Sequence, residues 1–400
     1  MYRLTSTLKF LFFYYLIGFV FIPKTSAQVF IAGETYLDST QFVEYRAGNL
    51  PIILSAPHGG GLRPDTIPDR ECDGCVTTSD SWTQTITEGV YDAIVERTGC
   101  FPHAVINLLH RIKFDANRDV EEAALGNATI KQAWRGYHQM IDSAKARVAL
   151  EYDRGLFLDM HGHAHTIQRI ELGYLLSRTE LQLSNQELDT ETYIAESSIR
   201  SLVGDNELVQ SHSELLRGEE SMGTLLEIKG LPAVPSMHDP FPMNGEAYFS
   251  GGFNTVRHGS RDNAGSIDAI QIEMNQDIRF DEDKRLMLID SLASVILDYI
   301  SIHYEEDFMD NFCNVSTSVN SGSSTPSAFS IYPNPNNGIF QIRTDLQDYE
   351  LSIIDQLGQV VFRDSDSLTD IDLSSLPSGL YLVQLNKDGV FLPAKRFVKF

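Results

Sequence analysis

The sequence predicts an α/β fold: a mainly parallel mixed sheet flanked by helices, with a small all-β sandwich appended at the C-terminus. Two observations carry this. Between residues 28 and 312, short apolar runs alternate with longer segments of helical period, the pattern of strands joined by crossover helices. After a Ser/Thr-rich stretch at 313–328, only short β-like runs separated by Gly and Asn/Pro turns remain.

Taken in order, residues 1–27 read as a secretory signal peptide, with basic Arg3 and Lys9, an apolar run from Phe10 to Ile22, and small residues ending at Ala27. No later stretch approaches the ~18 consecutive apolar residues a membrane helix needs, so no transmembrane span is expected after cleavage. "PIILSAP" reads as a buried strand and "SWTQTITEGVYDAIVERTG" as a helix ending at Gly99. "HAVINLLH" is a strand, residues 121–150 are largely helical, and "RGLFLDM" is a strand again. "IDAIQIEMN" is a further strand, and "DKRLMLIDSLASVILDYISIHY" an amphipathic helix. "CNVSTSVNSGSSTPSA" is a flexible linker, and residues 329–400 supply the strands of the sandwich.

The chain carries 55 acidic against 31 basic residues, a formal charge of -24. A nucleic-acid partner is not expected, because phosphate binding needs a basic face. Four cysteines, Cys72, Cys75, Cys100 and Cys313, suit one or two bridges in an exported protein. "CDGC" lacks the second cysteine or histidine pair that a zinc knuckle requires.

Chemistry gathers at strand ends. "DMHGHAH" runs from a strand into His161, with Asp159 beside it to orient an imidazole. "SAPHGGG" ends another strand at His58, and two strand-end histidines in one sheet suggest a shared metal. The third ligand should be a carboxylate or a histidine. Asp80, at the start of the following helix, is chosen over Glu71 in the same loop, although helix capping is the ordinary use of an aspartate there. In "HRIKFDANRD", Arg111, Asn117 and Arg118 follow a strand, where a guanidinium can grip a substrate carboxylate, and Asp115 can hold an arginine in place. Glu273 sits among apolar neighbours near a strand end, where a carboxylate is either paired or chemically employed.

Two resemblances follow. "YPNPNNGIFQI", "IIDQLGQVV" and "DLSSLPSGLYLVQL" make the tail resemble the C-terminal sorting domain of type IX secretion cargo. This implies export through the periplasm, contact with the type IX machinery, and a secreted or cell-surface location. The ordered set "SAPHGG", "DSWT", "RIKFDANR", "DMHGHAH", "IELGYLLS", "GGFNTVRHG" and "IQIEMN" resembles the N-formylglutamate amidohydrolase family over about residues 50 to 300. The resemblance implies a phosphorylase/hydrolase-like, zinc carboxypeptidase-like fold with one zinc ion per chain. By position it implies His58, His161 and Asp80 as metal ligands, Glu273 and Arg111 as catalytic residues, and Asn117 and Arg118 as substrate-binding. It adds Thr255 and His258 as substrate-facing candidates. The chain departs from the family in the long, cysteine-bearing interval between His58 and Asp80, and in the extra histidines of "HGHAH". Of these, His163 is expected to line the pocket and His165 to pack or lie at the surface.

Together these imply a secreted zinc-dependent amidohydrolase acting on a small carboxylate-bearing N-acyl amino acid or peptide-like substrate. The alternatives are an extracellular zinc carboxypeptidase and a non-catalytic surface binding protein on a hydrolase scaffold.

Overall fold

The computed structural model describes residues 30–304 and, further on, residues 329–332, 338–344, 346–347, 349–354, 360–364, 369–377, 379–387, 390–391 and 395–399. The expected signal peptide, the expected linker and Cys313 lie outside the described residues. The chain divides into two compact units, Met1–Ser316 and Thr317–Phe400.

In the first unit one mixed sheet contains β1 (Thr35–Leu37), β2 (Val43–Arg46), β3 (Ile52–Ala56), β4 (His103–Asn107), β5 (Gly155–Gly162), β6 (Ile170–Gly173), β7 (Ala233–Val234) and β8 (Ile267–Met274). Across the sheet the order is β1-β2-β4-β3-β5-β8-β6-β7. The central strands β4, β3, β5 and β8 run parallel, while β1, β2 and β6 join antiparallel. The strands expected from "PIILSAP", "HAVINLLH", "RGLFLDM" and "IDAIQIEMN" are these four parallel ones. The shorter strands escaped the sequence reading because two to four residues carry too little periodicity.

The helices that matter below are α1 (Thr83–Thr98), α2 (Val120–Ala124), α3 (Ala128–Tyr152), α4 (Phe253–His258), α5 (Gln276–Phe280) and α6 (Glu282–His303). The stretch 121–150, expected to be largely helical, is so, as two helices with a break where Leu125 and Gly126 both take positive φ. Helices α1 and α6 cover one sheet face, packing Ile86, Val90, Leu292 and Ile296 with Leu54, Leu158 and Ile270. Helix α3 covers the other, with Ile130, Tyr137 and Ile141 near Ile53, Val105 and Phe157. By length and composition α6 could cross a membrane, but it buries residues such as Leu288, Leu292, Val295 and Ile296 in the first core cluster.

Strand alternation sorts the site from the core. Leu156, Leu158 and Met160 of β5, with Ile270, Ile272 and Met274 of β8, belong to the first core. The intervening residues form the α3 face, where Phe157 pairs with Ala269, Asp159 with Gln271, and His161 with Glu273. Ser55 pairs with Asp159 from β3, and Glu171 of β6 faces Glu273. One face is therefore apolar at the amino ends of its strands and polar at their carboxyl ends. The chain leaves β3 toward β4 on one side and passes from β5 toward β8 on the other. Open α/β sheets bind ligands at such a reversal.

Among the described residues of the second unit, three strands and five strands form two antiparallel sheets. Phe340, Ile342 and Ile371 from one share a core with Leu351, Ile353, Val383 and Phe397 from the other, as expected of a small sandwich.

Asp268, at the amino end of β8, is fully buried. Burial pushes its carboxyl up from 3.8 to about 7, against donors on Ser260, Leu202 and Tyr304 that favour the ionised form. Between these values the folded chain holds a proton that the unfolded chain has lost, so this group's contribution to stability falls as pH rises through that window and is fully lost above it. Asp268→Asn should flatten that slope, read as a smaller difference between urea midpoints at about pH 5 and about pH 7 than the parent shows.

Candidate metal centre at the strand ends

His58 follows β3 in a loop that closes tightly on the start of α1. A Cβ on Gly59 would overlap the backbone nitrogen of Gln84, so only glycine allows that approach. Asp80 sits just before α1, but it does not cap the helix. The N-cap is Trp82, in left-handed backbone at φ 74° without a side-chain cap bond, and the Asp80 carboxylate turns toward the histidines instead.

Nδ1 of His58 and Nδ1 of His161 lie 3.2 and 3.1 Å from the same Asp80 Oδ2. On its far side each ring meets another carboxylate: His58 Nε2 is 2.6 Å from Asp115 Oδ1, and His161 Nε2 is 2.7 Å from Asp159 Oδ2. Carboxylates accept, so each Nε2 carries its proton there, and the Nδ1 lone pairs converge on a third acceptor. Three acceptors facing one another need a cation or a shared proton between them. Ligand atoms around tetrahedral zinc sit about 3.3 Å apart, given Zn–N bonds near 2.0–2.1 Å. The observed edges match, and the far-side carboxylates are the usual orienting partners of metal-bound imidazoles. The donor set therefore fits a zinc-type cation.

The charge balance is tight. Burial opposes charge on His161, but Asp159 and Asp80 outweigh it and hold the imidazole well above its ordinary value. Burial would raise Asp80, yet His58 and His161 hold it well below the usual carboxylate range. Asp115, fully buried, accepts from Arg111 Nε at 3.0 Å and lies 3.7 Å from Arg70. Arg111 also reaches Asp80 Oδ1 at 3.4 Å. Arg70 in turn donates to the carbonyls of Val76 and Arg111, fixing the loop in which Cys72 and Cys75 are disulfide-bonded. No described cysteine is free.

Glu273 lies beside His161 in the sheet register. Burial, with Asp80 and Glu171 adding to it against His161 and Arg111, pushes its carboxyl up to about 8. Gln271 Nε2 donates to its Oε1 at 2.9 Å, while the buried Oε2 has no hydrogen-bond partner.

Of the residues singled out in the sequence, His58, Asp80, Asp115, Arg111, Asp159, His161 and Glu273 come together. Glu71 is exposed, and Asp80 takes the third place in the cluster. Asn117 reaches it too, with Nδ2 at 3.4 Å from His161 Nε2 and Oδ1 accepting from Asn254 N at 2.7 Å. Arg118 lies at the rim, part-exposed and bonded to Glu122 at 3.0 Å. Thr255 donates to Gln271 at 3.3 Å, and so bears on Glu273 through an intermediary. His258 faces away from the cluster, buried against α3 with its Nε2 2.9 Å from His138 Nδ1 and its ring packed on Phe157. This departs from the substrate-facing position expected of it, because α4 presents its first turn to the site and its last turn to the core.

His163, expected to line the pocket, is tied into the β5–β6 connection. Its Nδ1 accepts from His165 N at 3.1 Å, so its Nε2 carries the proton donated to Arg169 O at 2.9 Å. It lies near His165 and Glu171, but with both ring nitrogens engaged it offers no lone pair to a metal. His165 is half-buried, bonded to Glu171 at 2.8 Å and stacked on Phe249. Sequence reasoning missed Glu171, Gln271 and Asn254. The period-two pattern of "IQIEM" could have flagged Gln271, since it shares a face with Glu273.

Residues 330–399 match the family described as a secretion system C-terminal sorting domain. The protein is therefore secreted or attached to the cell surface, and its tail engages the secretion machinery. No curated protein matches the sequence. Among solved structures, the chain is similar to an N-formylglutamate amidohydrolase from Ralstonia eutropha, at 14% identity over 67% of this chain and 96% of that one, with a TM-score of 0.38. A gene product of Agrobacterium tumefaciens matches at 11% identity over 65% of this chain and 93% of that one, also at 0.38. A protein assigned as carboxypeptidase A from Shewanella denitrificans matches at 9% identity over 64% of this chain and 60% of that one, at 0.30.

Because Asp115 is the shared partner of His58, Arg111 and Arg70, Asp115→Ala should take the carboxylate from buried Arg70 and leave Arg111 with Asp80 alone. The expected loss is about 3–5 kcal/mol of folding stability, measured by urea denaturation.

Proposed function

We propose that residues 28–312 form a secreted zinc-dependent amidohydrolase, joined by a linker at 313–328 to the sorting domain at 329–400. Its substrate is a small N-acyl amino acid or peptide-like molecule with a free carboxylate. The observation that carries this reading is the convergence of His58 Nδ1, His161 Nδ1 and Asp80 Oδ2, with a buried carboxyl of raised affinity for protons on the neighbouring strand.

His58, Asp80 and His161 would hold one zinc ion, whose chemistry when bound is that of a Lewis acid activating water and polarising an amide carbonyl. The protein's own groups supply the rest. Glu273 takes the proton from the attacking water at Oε2, the oxygen free of other bonds, and passes it to the departing amine. Gln271, itself bonded by Thr255, holds the opposite oxygen and so aims Oε2. Arg111, fixed by Asp115 and Asp80, stabilises negative charge developing on the carbonyl oxygen. Arg118, at the rim, meets the substrate carboxylate, and Asn117 sits between it and His161.

Glu273→Gln should lower turnover by about 10²–10⁴-fold while zinc content stays that of the parent. His161→Ala should lose the zinc, read by elemental analysis. Retained turnover in the first, or retained metal in the second, would overturn the assignment. Rates on an N-formyl amino acid, a dipeptide and a longer peptide should fall in that order; the reverse order would make the enzyme a carboxypeptidase.

A further inference from the structure

Arg279, in α5, is buried, and burial lowers its pKa against the opposing pull of Asp80 and Glu273. All its described hydrogen bonds nevertheless go to backbone carbonyls. Nε donates to Met274 O at 3.0 Å, one Nη to Ser81 O at 2.5 Å and the other to His163 O at 3.0 Å. These carbonyls belong to three separate segments. Ser81 directly follows Asp80, Met274 directly follows Glu273, and His163 lies two residues beyond His161. The guanidinium also lies flat across Gly162, where any Cβ would overlap its central carbon. Gly162 N in turn donates to Asp80 Oδ2 at 3.3 Å.

We propose that Arg279 is a positioning residue of the strand-end centre: its planar fork locks together the three segments that carry Asp80, His161 and Glu273. This rests on the reading of that centre given above. A buried cation bonded only to neutral carbonyls is costly unless negative charge lies close by, and Asp80 supplies it. Only arginine can reach three carbonyls in one plane, because its five N–H donors are fixed in direction. A lysine in its place keeps the charge and loses the fork. Sub-ångström drift among the three segments would spread the zinc donors and move Glu273 relative to them.

The test compares the full-length parent with Arg279→Lys and Arg279→Gln. Zinc affinity, measured by chelator competition, should fall about 10–100-fold in both, the range seen when groups behind metal ligands are removed. The visible spectrum of the cobalt-loaded protein should change in both, and kcat should fall more than KM rises. In metal-free protein, amide exchange should quicken together around Ser81, Gly162 and Met274. A variant that loses thermal stability but keeps parental zinc affinity and cobalt spectrum would overturn the proposal, as would a lysine variant that restores both. If the parent binds neither ion, the zinc reading fails by itself. The exchange result then decides on Arg279: quickening confined to residues 276–280 overturns the three-segment clamp, and quickening of all three segments supports it.

Discussion

The register of β5 against β8 is the constraint on which the site depends. His161 faces Glu273, and Asp159 faces Gln271, because the two strands are aligned so that their polar residues share one face. A slip of β8 by one residue would turn Gln271 and Glu273 into the apolar layer and bring Ile272 and Met274 into the cleft. The core therefore sets the geometry of the site before any polar contact is made. Phe157 and Ala269, one level deeper on the same face, fix the alignment by packing toward α3.

Given that register, the electrostatics follow from proximity. Asp80, Asp115 and Asp159 surround two imidazoles in a buried space, and no single cation answers all three. Arg111 and Arg70 hold Asp115 through Oδ2, the oxygen away from His58, while both Nδ1 atoms point at Asp80 Oδ2. Glu273 stands slightly apart, supported at one oxygen and bare at the other. Its partners leave it able to exchange a proton, whereas those of Asp115 hold that carboxyl far below the ordinary carboxylate range.

The parts legible in the sequence are those whose chemistry is local. A histidine closing an apolar run, as at His58 and His161, marks a strand end whatever the tertiary structure. The four long parallel strands were legible for the same reason, while β6 and β7 were not, being too short to show a period. What the sequence hid is set by approach in space. Arg279 reads as an ordinary basic residue in the last turn of a short helix, and nothing near it in the chain points to Gly162 or Ser81. Glu171 looks like one more acidic residue in an acidic chain until β6 sets it against Glu273. His258 misled in the opposite direction: it shares the "GGFNTVRHG" motif with Thr255, but its place at the far end of α4 sets it against His138 and Phe157 rather than at the site.

The donors also come from segments far apart along the chain. His58, Asp80, His161 and Glu273 belong to loops and strands that meet only once the sheet is built. An unfolded chain thus does not hold His58, Asp80 and His161 together, unlike a zinc finger whose ligands are neighbours in sequence. The cluster therefore exists only where β3, β5, β8 and the start of α1 have met in the sheet. On the zinc reading proposed above, the surroundings in which the chain completes its fold decide which cation it meets first, and for a protein that leaves the cell those surroundings are outside the cytoplasm.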